Sequence, residues 1–208
     1  MSRFACVGVA ALILGGCFLP PAGNVQDART VGKGNVRVTG FWSGIDAHRQ
    51  EGDATADEFG ALIGVGGSDR SEIQLRFERL DFRDEDEGYQ FISLGPKFGL
   101  IEDRLALLVP IGWYLGEDIE WTETLQIHPG LLETFPVNPI LEINAAQRLI
   151  LPFSSNVWMW LNLGLGVGLS TNFDRWAILP EISYSVSLDE KDTDVFSYGV
   201  AVVVRTGD

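Results

Sequence analysis

The sequence predicts an all-β fold, an up-and-down antiparallel β-barrel of about ten strands that crosses a membrane. Three observations lead there. From Gly34 onward apolar residues recur with a period of two, and no window keeps a capped helical period. The connections between the alternating segments are short and long in turn, as in barrels with short turns on one side and long loops on the other. The uncharged face of the segments is bulky, whereas the opposite face gathers glycines and charges.

Composition sets the outer bounds. With 208 residues, 46% of them hydrophobic, the chain can build a core and is not disordered; it makes one domain, at most two. A formal charge of -14 repels a phosphate backbone, so no nucleic-acid partner is expected. The 2 cysteines, Cys6 and Cys17, supply neither a disulfide scaffold nor a four-ligand zinc site.

Residues 1–16 read as a secretory signal: a positive charge at Arg3, an apolar run from Phe4 to Leu14, then small residues, too short to span as a mature helix. Leu14-Gly15-Gly16-Cys17 resembles the lipobox of bacterial lipoproteins. That resemblance implies acylation of Cys17, and Phe18 in place of Asp permits outer-membrane delivery. Residues 17–33, with their prolines and glycines, are then expected to be a lipid-anchored tether, and 34–208 the barrel.

The strands follow in order. Asn35 to Ser43 sets Val36, Val38 and Trp42 on one face. Phe59 to Gly66 places Gly60, Gly64 and Gly66 on the other. Glu72 to Glu78 alternates throughout, with Ile73, Leu75 and Phe77 opposed to Glu72, Gln74, Arg76 and Glu78. Phe91 to Gly99 presents Ile92, Leu94 and Phe98, and Leu105 to Tyr114 presents Leu105, Leu107, Val109, Ile111 and Trp113. Leu125 to Leu132 and Leu141 to Leu151 continue the pattern, Gln147 being the polar exception on the apolar face. Leu149 to Phe173 carries no charge, but Gly164, Gly166 and Gly168 alternate with Leu163, Leu165, Val167 and Leu169, a period that a helix would smear. Pro152 to Asn156 is therefore read as a turn and Val157 to Ser170 as a strand. Ala177 to Ser187 and Val195 to Arg205 complete the set.

Short connections are expected at 67–71, 101–103, 134–139 and 171–174, and long acidic ones at 45–58, 81–88, 115–123 and 188–194. A soluble barrel would turn the bulky face inward, where so many large side chains would crowd the lumen; a membrane barrel turns it toward lipid. Trp42, Tyr89, Trp113, Trp121, Phe173, Trp176 and Tyr198 near strand ends fit interfacial girdles. Ser197 to Val204 resembles the C-terminal insertion signal of bacterial outer-membrane barrels, with Val202 and Val204 where aromatics are usual. This implies the barrel assembly machinery as a partner and outer-membrane lipid as surroundings, while short turns on one side and an even strand number put the amino terminus on the periplasmic side.

On the inward face Arg37, Arg76, Lys97, Arg148 and Arg205 stand against Glu72, Glu78, Glu142 and Glu181, a lumen charge network read as paired filling. The runs Asp84-Glu85-Asp86-Glu87 and Asp189 to Asp194 lack the spacing and turn glycine of a calcium loop. His128, on the inward phase, with Asp84 or Asp86 resembles in outline the aspartate–histidine pairs of omptins, although Gln126 stands where their aspartate is expected. No catalytic set, cofactor or metal is expected. The leading expectation is a lipid-anchored outer-membrane barrel with a structural, surface-interaction or narrow-conduit role. The alternatives are an outer-membrane enzyme using His128 with loop carboxylates, and a tethered soluble barrel that binds lipid.

Overall fold

A computed structural model describes residues 19–21, 23–48, 53–83, 88–116, 119–154, 158–189 and 193–206. The strands are β1 Val36–His48, β2 Ala54–Ser68, β3 Ser71–Phe82, β4 Gly88–Ile101, β5 in two segments Leu105–Leu108 and Ile111–Leu115, β6 in two segments Gln126–Ile127 and Gly130–Asn138, β7 Leu141–Pro152, β8 Trp160–Leu169, β9 Trp176–Ser187 and β10 Asp194–Arg205. Each pairs antiparallel with the next, and β10 returns to β1 from Arg37↔Arg205 to His48↔Asp194, so that the sheet closes on itself. Closure leaves no strand edge, a condition for backbone in hydrocarbon. The result is the ten-stranded up-and-down barrel expected.

The pleat sorts side chains as the alternation requires. In β3, Ile73 is 52%, Leu75 47% and Phe77 41% exposed, while Glu72, Arg76 and Glu78 are 1%, 5% and 1%. Large apolar residues cover the exterior on every long strand, Phe59, Leu94, Ile143, Leu165, Ile182 and Val202 among them. A water-soluble barrel has the reverse arrangement, so the tethered lipid carrier with an inward greasy face is not what this chain forms. Near the long-loop end Trp42 meets Tyr198 edge-on at 5.9 Å and donates from Nε1 to Asp57 at 3.2 Å, and Arg83 clamps the same carboxylate at 2.9 Å. Trp176 stands outside at the opposite end.

The expected long connection at 45–58 narrows, because β1 runs to His48 and β2 starts at Ala54, with Ala47 paired to Ala54. Prolines account for the breaks in β5 and β6. β5 is interrupted at Val109-Pro110, where Val109 N–H instead reaches the Pro96 carbonyl at 3.0 Å. β6 breaks at His128-Pro129, with His128 N–H on the Pro110 carbonyl at 2.8 Å and Leu149 N–H on the Pro129 carbonyl at 2.9 Å. It then runs on to Asn138, because Thr134 to Pro136 still pair with Asn144 to Glu142; the expected turn shrinks accordingly. Tyr89 and Phe173 do not join the girdles. Tyr89 packs against Phe82 and Tyr114 over the long-loop mouth, and Phe173 packs against a buried cluster at the other mouth. The Trp121 side chain lies outside the described residues.

The largest correction concerns residues 17–33. The described part is no tether outside the barrel: 19–21 and 23–31 lie within the lumen, crossing from the long-loop end to the short-turn end, where Lys33 is exposed. Cys17 itself lies outside the described residues.

Candidate functional site in the barrel lumen

The inserted segment has the extended character that its prolines and glycines impose, so its backbone groups need partners from elsewhere. Side chains of the wall supply them. At the long-loop end the Leu19 side chain packs with Ile45, Ala47, Ala56, Leu80, Ile150, Trp160 and Val195. The Leu19 carbonyl accepts from Tyr114 at 2.8 Å and from Tyr89 at 3.2 Å. Arg148 donates to the Pro21 carbonyl at 2.7 Å, and Arg148 and Arg76 each reach the Gly23 carbonyl at 3.2 Å.

At mid-lumen the chain turns around one carboxylate. Glu181 accepts Asn24 N–H at 2.6 Å and Val25 N–H at 2.9 Å, one on each oxygen. This bend puts Gly23 at φ 46° and Val25 at φ 43°. A β-branched residue rarely adopts that conformation, and it persists only where its surroundings enforce it. Here they do: the Val25 side chain is buried among Phe41, Ala177, Leu179, Ala201 and Val203.

Below the bend the contacts become ionic. Asp27 binds Arg37 at 3.3 Å and Arg205, while Lys97 donates to the carbonyls of Asp27 at 2.8 Å and Arg29 at 2.6 Å. Arg29 pairs with Glu142 at 2.5 Å and lies over the Phe173 ring at 4.9 Å. Ala28 N–H donates to Thr134 Oγ1 at 2.8 Å, and Val31 N–H to Glu72 at 3.0 Å. Thr30 reaches the Asp69 carbonyl in the first short turn at 2.9 Å, and Gly34 N–H joins the Gly66 carbonyl at 3.0 Å. Gly66 has to be glycine here, since a Cβ would stand 1.7 Å from the Gly32 carbonyl oxygen. Asp103, in the second short turn, has its carboxyl pushed above the usual carboxylate range by burial, with Arg29 drawing it the other way.

The nine strand residues singled out from sequence, Arg37, Glu72, Arg76, Glu78, Lys97, Glu142, Arg148, Glu181 and Arg205, are all buried on the inner face. Three wall-to-wall pairs occur among the described residues, Arg37 with Glu72, Lys97 with Glu72 at 3.9 Å, and Arg76 with Glu78. Eight of the nine bind the inserted segment: Arg37, Arg76, Lys97, Arg148 and Arg205 as donors, Glu72, Glu142 and Glu181 as acceptors. Three charged groups were missed by the sequence reading, Glu58, Asp27 and Arg29, all buried. With them the described lumen holds six basic and six acidic side chains, as the buried set shows. Glu58 shares the phase of Gly60 and Gly64, but β2 begins at Ala54, inside what reads as an acidic loop.

His128 is 1% exposed and its ring stacks on Phe91 at 5.3 Å, with no described hydrogen-bond partner for Nε2. Asp84 and Asp86, its proposed partners, fall outside the described residues, as do Glu85, Glu87 and residues 190–192 of the Asp189 to Asp194 run. No cluster able to hold a metal occurs among the described residues.

No family model matches the chain, and no curated protein matches it. Among solved structures it is similar to the translocator domain of autotransporter NalP from Neisseria meningitidis, at 12% identity over 98% of this chain and 96% of that one, with a TM-score of 0.45. It is also similar to Neisserial surface protein A, at 10% identity over 83% and 99%, TM-score 0.41. The attachment invasion locus protein Ail of Yersinia pestis follows at 14% identity over 84% and 99%, TM-score 0.38. These are likenesses of barrel to barrel. What defines the class is internal to the chain: a closed register, an apolar exterior and a charged interior make it a transmembrane β-barrel. More particularly, it is one whose lumen is filled by its own N-terminal segment.

Proposed function

We propose that the protein is a lipid-anchored bacterial outer-membrane barrel of non-enzymatic, structural or surface-interaction role, held shut by its N-terminal segment. One observation carries the reading. Arg37, Lys97, Thr134 and Asn162, on four different strands, are each 0% exposed inside the barrel, which leaves no water-sized space beside them. A conduit needs such space; a rigid platform for the long acidic loops does not. Acylation of Cys17 and handling by the assembly machinery belong to the same reading, supported by the lipobox-like and C-terminal sequences.

Planar-bilayer recordings test it. The full-length protein should insert without stepwise conductance, whereas deletion of residues 19–31 should open steps, because water then hydrates the charges that the segment covers. Steady conductance from the intact protein would return the conduit to first place.

A further inference from the structure

The inserted segment has a direction, and the direction fixes which side of the membrane the chain upstream of it occupies. Leu19 sits at the long-loop mouth: its neighbours Ala47 and Val195 are paired with each other one rung from the end of β1 and β10. Thr30 and Gly34 are bonded at the opposite mouth to Asp69 and Gly66. Two peptide units separate Leu19 from Cys17, a reach of at most about 7.6 Å between Cα atoms. The hydrocarbon a barrel crosses is about 25 Å thick. Cys17 cannot lie on the short-turn side while Leu19 holds its place.

We infer that the N-terminal end of the mature chain emerges at the cell surface through its own barrel, so that an acyl group on Cys17 enters the outer leaflet. The inference rests on the proposed outer-membrane placement and on the long loops facing outward, and it places the anchor on the opposite side from the periplasmic one expected from sequence. It also constrains assembly. The segment is held by Arg37, Glu72, Lys97, Thr134, Glu142 and Glu181, which belong to six strands, and the lumen beside Arg37 and Lys97 has no spare bore. An acylated end cannot be drawn afterwards through such a lumen, so the sheet closes around a segment already in place.

The test uses the full chain in cells, with a short peptide epitope inserted between Phe18 and Leu19. Control epitopes sit in the long connection at 84–87 and in the short turn between Gly67 and Ser68. Antibody binding to intact cells at the 18/19 site, equal to that at 84–87, is expected. Binding that appears only after the outer membrane is permeabilised, as at Gly67, overturns the inference. If the insertion costs the barrel its faster migration when unboiled, Phe18→Cys with a membrane-impermeant maleimide replaces it. Labelling of intact cells is expected, and labelling only after permeabilisation or boiling overturns. Palmitate incorporation, followed in parallel, separates the two readings. Surface exposure without palmitate removes the lipid anchor and keeps the threading; palmitate with an internal epitope does the opposite.

Discussion

Replacing Asp27 by Ala should cost the barrel about 3 to 5 kcal/mol, the toll of stripping one partner from a buried ionic cluster. Its carboxylate, fully buried, faces Arg37 and Arg205, and Lys97 is bonded to its carbonyl. Without it those cations keep their burial and lose their counter-charge, while Glu72 remains to serve both Arg37 and Lys97. Urea titration of the refolded protein in lipid vesicles, read by mobility of unboiled samples, should show the midpoint fall sharply. Asp27→Glu should recover part of the loss, since charge is kept and only reach is altered. A midpoint unmoved by Asp27→Ala would mean that the segment is not seated among these groups.

Leu75→Arg should impair the protein by about 2 to 4 kcal/mol for the opposite reason, since it places a charge near the middle of the bilayer. Leu75 lies halfway along β3 and points outward, 47% exposed. Were that surface in water, the same change would fall within about 0.5 kcal/mol. Loss of the variant from washed outer membranes, or a lowered urea midpoint in vesicles, supports lipid contact; wild-type behaviour would place the greasy face in water.

Much of the wall was legible because a strand writes its burial into alternate positions. Glu72 to Glu78 is enough to show two faces, and the bulk of Leu94, Phe98 and Val202 against the glycines of β8 shows which one points outward. Elements broken by proline were less legible: Pro110 and Pro129 interrupt ladders whose hydrophobic phase runs on undisturbed. The inserted segment was not legible at all. Its residues have no period, and its partners lie far along the chain; Glu181 follows Asn24 by 157 positions. A run of prolines, glycines and small polar residues looks the same whether it hangs free or threads a lumen. Tyr89 and Phe173 were misplaced for the same reason, because an aromatic near a strand end serves equally as a membrane girdle or as a lid over an occupied mouth.

If the N-terminal segment occupies the lumen, it can be cross-linked to the barrel wall. Ala28 N–H lies 2.8 Å from Thr134 Oγ1, deep between the segment and β6. Cysteines at both positions should therefore be joined by oxidation or by a short bis-thiol reagent in isolated outer membranes. A cross-linked species is expected, resolved on a non-reducing gel, whose thiols resist alkylation until reduced. Two thiols that stay uncross-linked and are both alkylated in the folded barrel would contradict it.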